Sequence, residues 1–273
     1  MRGFRMKLYE DISLNIRKYC KTKFSNKTII LLKKLDKKFP SFLFIFFPPK
    51  IFNFSIFKRI LTAYKLDKIQ RKVTCTHIQS HILPCFNDIL KLSEKPGIVV
   101  EAGCYKGGSS AKFSLAAKKA KKDLYIFDSF EGLPENNEPH DKNIYNGSIK
   151  SAFIGGKYCG TKDEVKNNIR KFGEYSNCRF IKGWLEKTLP SLNLPISVAY
   201  IDVDLASSTK TCLKYLYPLL IPGGALYSQD GDFPLVLDVF NDDNFWKNEV
   251  GCKKPKMEGI GTSKIIKITK PLL

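Results

Sequence analysis

Apolar and polar positions along this chain follow two different periods in alternation. Short runs rich in apolar residues at 98–102, 124–128, 178–182, 197–203 and 224–229 read as strands, the first of them buried on both faces, with a late run at 263–269. Between them, segments 109–121, 161–173 and 207–218 carry apolar residues at helical spacing. Upstream, Ile78, Ile82, Leu83, Phe86, Ile89 and Leu90 share one face of a helix that Pro84 is expected to break or kink and that ends before the Glu94–Gly97 turn. Strand and helix in turn predict an α/β fold, a doubly wound parallel sheet whose ligands bind at the carboxyl ends of the strands.

Pro134 to Gly160 fits neither period. The segment is polar, holds Gly147, Gly155 and Gly156, and is long enough to predict a substrate lid rather than an idle connection. His140 lies in it, and a loop histidine is ordinarily solvated. His77 and His81, four residues apart, read as a pair on a helix surface, since no third metal ligand stands near them.

Composition then fixes the scale. At 273 residues and 43% apolar content, the chain suits one α/β domain of about 200 residues, here 71–273, plus an extension at 1–70. The formal charge of +20 invites a nucleic-acid partner, but 17 Lys and Arg against 4 Asp and Glu fall within residues 1–70, so most of the excess belongs to the extension. That extension is also rich in Phe. Its apolar run within 39–60 is closed by Pro48 and Pro49, too short for the roughly 20 residues that cross a bilayer; the run reads first as a packing arm, while its basic and aromatic residues together also suit a peripheral membrane contact. Eight cysteines without a CxxC or CxxH spacing, and no cleavable signal sequence, predict reduced thiols, a cytoplasmic location and no zinc site.

The candidate chemistry sits at strand ends. In VVEAGCYKGGSS (99–110) a strand stops at Glu101 and runs through Gly103, Gly107 and Gly108 into a helix near Ser109, so that backbone N–H groups and a carboxylate face a ligand. Asp128 closes the second strand 25 residues after Gly103, the place for an acid that receives a ribose. Such a pair suits a dinucleotide or S-adenosylmethionine (SAM). Asp202 and Asp204 alternate onto one side of the fourth strand's end, while Gln229 and Asp230 end the fifth. Clustered oxygen donors of this kind suit a hard cation such as Mg²⁺. Asp204 also stands where it would cap the following helix, in competition with Ser207 and Ser208, and Asp232 is expected to be solvated.

These segments, with FIKGWLEKTLP, AYIDVDLASSTKTCLKYLYPLLIPGG and SQD in the same order, resemble the macrocin O-methyltransferase family over about residues 95–246. The resemblance implies a Rossmann-like class I methyltransferase fold with an antiparallel final strand, and SAM-dependent methylation of a sugar hydroxyl on a nucleotide sugar, glycan or glycosylated metabolite. Carried over by position, Glu101 and Gly103 hold the methionine end of SAM, Asp128 the ribose, and Gly183 and Trp184 the adenine; Gly108, Ser109 and Ser129 complete the expected cofactor set. Asp202 and Asp230 then ligate Mg²⁺, and Asp204 is the general base. Gln229 departs from the second acid common in the family and is a weaker, neutral ligand. A dinucleotide dehydrogenase is disfavoured because EAGCYKGG breaks the GxGxxG spacing. The rival readings are a nucleic-acid methyltransferase, weakened by the absence of an aromatic stacking motif, and a non-catalytic SAM-fold protein, disfavoured by three retained aspartates. A homo-oligomer is compatible with all of them.

Overall fold

In a computed structural model that describes residues 55–272, seven strands form one sheet. The strands are β1 (Ile98–Ala102), β2 (Leu124–Asp128), β3 (Cys178–Lys182), β4 (Ile196–Ile201), β5 (Leu220–Ser228), β6 (Met257–Glu258) and β7 (Ile266–Thr269). Their order is β3-β2-β1-β4-β5-β7-β6, with β1 to β5 parallel and β7 antiparallel to both its neighbours. Among the described residues, seven α-helices of four residues or more flank the sheet: α1 (Ile56–Lys72), α2 (Gln79–Lys91), α3 (Gly108–Lys119), α4 (Lys162–Phe172), α5 (Leu185–Thr188), α6 (Ala206–Leu216) and α7 (Pro234–Asn241).

The central strands sort their side chains by period two. Along β4, Val198 and Tyr200 enter one core with Leu66, Ile69, Phe86 and Phe113 from α1, α2 and α3. Ala199 and Ile201 enter the opposite core with Leu213, Phe240 and Trp246. Fully burying one such large apolar side chain contributes about 1.5–3 kcal/mol, and β4 is buried at every position. Elsewhere a stripe suffices: α4 buries only Val165 and Ile169, and Thr161 caps it by accepting the Glu164 N–H at 3.2 Å.

Several expectations are corrected. Strand β4 ends at Ile201, two residues early, because after the Asp202 N–H has bonded the Ala102 carbonyl the N–H groups of Val203 and Asp204 turn to the Asp230 carboxylate, and β5 starts at Leu220, four residues early, across a register shift near Ile196 and Val198. Strand β7 starts at Ile266, after the turn at Gly259 to Ser263. Pro84 lies inside α2, which runs unbroken from Gln79 to Lys91. His77 precedes α2 and is buried, so it is not half of a helix-surface pair. Helix α7 opens on Pro234 in its first turn, a residue that commonly signals a helix start.

The basic, Phe-rich run at 39–60 lies outside the described residues up to 54. The next residues form α1, which crosses the expected boundary at 70. One side of α1 buries Thr62, Ala63, Leu66 and Ile69, whereas Ile56, Phe57, Ile60, Leu61 and Tyr64 are exposed on the other, Phe57 at 74%. Among the described residues no helix is long and apolar enough to cross a membrane.

Candidate active site

At the carboxyl ends of β1, β2, β4 and β5 lies a cavity of about 310 Å³. Gly103, Asp128, Ser129, Trp184, Asp202, Asp204 and Gln229 line it; Glu101, Gly108, Ser109, Gly183 and Asp230 are not part of the lining but stand in the layer behind it or beside it. Gly103 is where glycine is indispensable. Its φ is +82°, and a Cβ there would meet the Asp202 carbonyl oxygen at 2.0 Å, so the ends of β1 and β4 approach only because no side chain intervenes.

One half of the cavity is built from β1 and β2. The Asp128 carboxylate accepts the backbone N–H groups of Cys104 and Phe130, each at 2.7 Å, which spans the β1 turn and fixes the acid in place. Burial raises its pKa, and those N–H groups oppose the rise. Glu101 is fully buried; Ser110 Oγ donates to its Oε2 at 2.5 Å, while its Oε1 has no partner. Burial pushes Glu101 up to about 7, against the Ser110 hydrogen bond and the neighbouring Ser109 hydroxyl, which favour the charged form. The Gly183 N–H donates to the Asp128 carbonyl at 3.0 Å, which turns the chain so that Trp184 faces the cavity.

In the other half, ligand oxygens of Asp202, Asp204 and Asp230 lie within 4.8 Å of one another. Asp204 adopts a left-handed φ of +61°, uncommon for a side-chain-bearing residue, and this bend turns Asp204 back toward Asp230. Asp230 Oδ2 accepts the N–H groups of Val203 and Asp204, each at 3.0 Å, whereas its buried Oδ1 has no partner. Burial first, then mutual repulsion with Asp230, raises Asp202 and Asp204 well above the ordinary carboxylate range; burial raises Asp230 to about 6, with Lys264 opposing the rise. An unpartnered buried oxygen among three acids fits a hard cation. Gln229 also lines the cavity, but its Oε1 accepts the hydroxyl of buried Tyr200.

Three features escape a reading of the sequence, all of them around the segment expected to act as a lid. Asp232 is not solvated: it is buried and accepts from Lys264 Nζ at 3.1 Å, which places that ammonium in the lining beside the acids. Neither Asp204, Ser207 nor Ser208 caps α6. Glu138, from the 134–160 segment, accepts the N–H groups of Ala206 (2.8 Å) and Ser207 (2.9 Å) and the Ser207 hydroxyl (2.7 Å). His140 is not solvated either, since its Nε2 lies 3.1 Å from Glu138 Oε2 and its ring packs edge-on against Phe153. The segment itself covers the acid half: Pro134, Ile149, Ala152, Phe153 and Tyr158 all line the cavity, as a lid would.

Strand order and the antiparallel β7, with the acid at the end of β2 and the glycine turn after β1, define a class I SAM-dependent methyltransferase fold. Solved structures agree: the O-methyltransferase NovP (TM-score 0.56, 22% identity, 70% of this chain and 78% of that one) and the calicheamicin methyltransferase CalS11 (TM-score 0.57, 14% identity, 91% and 94%) share the fold. The chain belongs to the macrocin-O-methyltransferase family, whose model matches residues 74–256. Among curated proteins it is 31% identical over 173 residues to the 8-demethyl-8-(2,3-dimethoxy-alpha-L-rhamnosyl)-tetracenomycin-C 4'-O-methyltransferase of Streptomyces olivaceus, covering 61% of this chain and 64% of that one. It is 29% identical over 157 residues to the demethyldecarbamoylnovobiocin O-methyltransferase of Streptomyces niveus, covering 55% and 58%. The match thus spans less than two thirds of either relative.

Proposed function

We propose that this chain transfers a methyl group from SAM to a sugar hydroxyl of a nucleotide sugar, glycan or glycosylated metabolite. The observation that carries the reading is one cavity with a cofactor-type half at Gly103 and Asp128 and a cluster of three carboxylates facing it. The names of the two relatives, one of which specifies a rhamnosyl compound, support a glycosylated acceptor. The unpartnered Glu101 Oε1 suits an amino-acid ammonium, and Asp128, with lone pairs left on both oxygens, suits ribose hydroxyls. Asp202 and Asp230 are the residues to hold Mg²⁺, and Asp204 takes the proton. When bound, SAM supplies an electrophilic methyl group and Mg²⁺ a positive charge beside the acids. A sugar hydroxyl must shed its proton as it attacks, and Asp204, a cavity-lining carboxylate of the acid cluster that caps no helix, is the group placed to accept it. Lid residues Phe153 and Tyr158 exclude water from that half.

Labelled methyl transfer from SAM to a panel of nucleotide sugars, glycans and RNA tests the reading; transfer to RNA alone would refute it. The cofactor half has its own test. S-adenosylhomocysteine (SAH) should raise Tm while NAD does not, by mass action on the folded state. Because free Glu101 titrates at about 7 and its charged form is the one an ammonium favours, SAH affinity should fall about tenfold per pH unit below that value. Glu101→Gln should flatten this dependence in calorimetry. An unchanged slope in that variant would remove Glu101 from the site.

Residues 39–60, ahead of the part of α1 that packs into the core, are proposed to touch an anionic membrane surface. Exposed Ile56, Phe57 and Ile60 at the start of α1, with Lys68, Arg71 and Lys72 further along it, combine apolar and basic character. The helix runs antiparallel to α3, Thr62 meeting Lys119 and Gln70 meeting Lys112, so its apolar end lies away from the cavity. The full chain should therefore sediment with phosphatidylglycerol vesicles and not with phosphatidylcholine, and Phe57→Glu with Ile60→Glu should weaken this without slowing methyl transfer. Equal sedimentation of the double variant would exclude this face.

A further inference from the structure

Behind the cofactor half of the cavity stands a buried cation that the chemistry above does not use. Lys112, on the second turn of α3, is 0% exposed. Its ammonium is held by neutral partners: it donates to the Gln70 amide oxygen and meets His77 Nε2 at 2.9 Å. His77 is kept neutral there, since burial and the neighbouring Lys112 charge lower its pKa well below the usual histidine value. Gln70 closes a ring by donating its amide to the His77 carbonyl at 2.9 Å. Three elements are thereby tied at one point: the end of α1 through Gln70, the connection to α2 through His77, and α3 through Lys112.

What the ring holds is a piece of the cavity wall. Thr76, next to His77, lines the cavity with Gly103 and Asp128. Its other neighbour, Cys75, presses on the first turn of α3 so closely that a Cβ at Gly108 would come within 2.2 Å of the sulfur. We propose that Lys112 is a positioning residue for the cofactor, the Lys112–His77–Gln70 ring holding Thr76 and its neighbours against the start of α3 as a fixed wall of the SAM site. The inference rests on the reading of that half as the SAM site.

Stability alone does not account for such a group. Taking an ammonium out of water with neutral hydrogen-bond partners is unfavourable, and burial pulls Lys112 down to about 8 although Cys75 and the Asp67 carboxylate oppose the fall. A methionine would fill the same place without that desolvation. The ring therefore contributes a defined position rather than folding free energy, and positions of this kind show up as affinity for a ligand whose site is pre-organised.

The test is calorimetric SAH affinity, unliganded Tm and steady-state kinetics on the full chain. Lys112→Met is expected to keep or raise Tm, to weaken SAH about 10-fold, and to raise the SAM KM in step while kcat and the acceptor KM stay within about 2-fold. His77→Leu should weaken SAH similarly, and His77→Gln, whose amide oxygen still accepts from Lys112, should restore most of the affinity. SAH affinity within about 2-fold of wild type in both Lys112→Met and His77→Leu overturns the proposal. A parallel loss of Tm and affinity in all three variants, His77→Gln included, overturns it in favour of general stability. Failure of the wild-type chain to bind SAH would instead overturn the cofactor reading on which it rests.

Discussion

Asp204→Asn is expected to slow methyl transfer at saturating SAM by about 10²–10⁴-fold, the contribution of a positioned general base, while SAH affinity stays within a few-fold. The two halves of the cavity make these effects separable. Asp204 belongs to the acid half, and its backbone is fixed by the N–H it donates to Asp230, a bond that the substitution keeps. Glu138 caps α6 in its stead, so replacing the carboxylate uncaps nothing. The variant should accordingly fold with an unchanged circular-dichroism spectrum and bind SAH normally in calorimetry. Normal turnover in Asp204→Asn would assign proton removal elsewhere.

The second large effect is an opposition between stability and activity at Asp202 and Asp230. In chelator-treated protein, the folded-state pKa of each acid lies above its unfolded value, by burial first for both. A group raised in this way favours folding below its unfolded pKa, and that contribution is lost as pH rises through the folded pKa. Asn imitates the protonated acid at every pH. Asp202→Asn should therefore raise the metal-free Tm, by about 2–4 °C for each kcal/mol of repulsion relieved, with a larger gain at pH 8 than at pH 5. Asp230→Asn should gain less, because the Asp230 carboxylate also accepts two backbone N–H groups. Both variants should lose turnover by orders of magnitude, and Mg²⁺ should raise Tm in the wild type but not in them. A wild-type Tm indifferent to Mg²⁺, with full activity after chelation, would leave carboxylate base catalysis without a metal.

Much of this site is legible in the amino-acid sequence, although partly for other reasons than the ones that operate in the fold. Alternation along a strand places Asp202 and Asp204 on one side, yet β4 stops at Ile201 and the two acids converge through the left-handed turn at Asp204. Strands β1 and β2 match their apolar runs because burial on both faces leaves a nearly uninterrupted signal, whereas the edge strand β3 buries only Cys178 and shows through the short run CRFIK alone. Helix α1 is invisible as a core element, since its outward face is as apolar as its inward one and no stripe stands out. Contacts between residues far apart in sequence have no local signature at all. Lys264 reaches Asp232 across 32 residues, and Lys112 reaches Gln70 across 42. Polar loop residues are ordinarily solvated, which is the expectation for Asp232 and His140; here each has a charged partner under the lid.

The cap that Glu138 places on α6 limits how this protein can be re-engineered for other acceptors. A lid that merely lay over the acids could be exchanged wholesale for one from a relative. Here the lid supplies the first N–H acceptors of the helix that follows Asp204, 68 residues away from Ala206 in the chain. A graft that shifts residue 138 by one position exposes that helix end and loosens the backbone beside the base. Replacement is tolerable only inside the span that begins after the His140 contact and ends before Phe153, whose ring packs against His140 and Phe233. The hairpin closed by Lys142 and Ser148 stands at the tip of that span. Acceptor choice can be rewritten there, in a dozen or so residues, while Glu138 keeps its register with the helix.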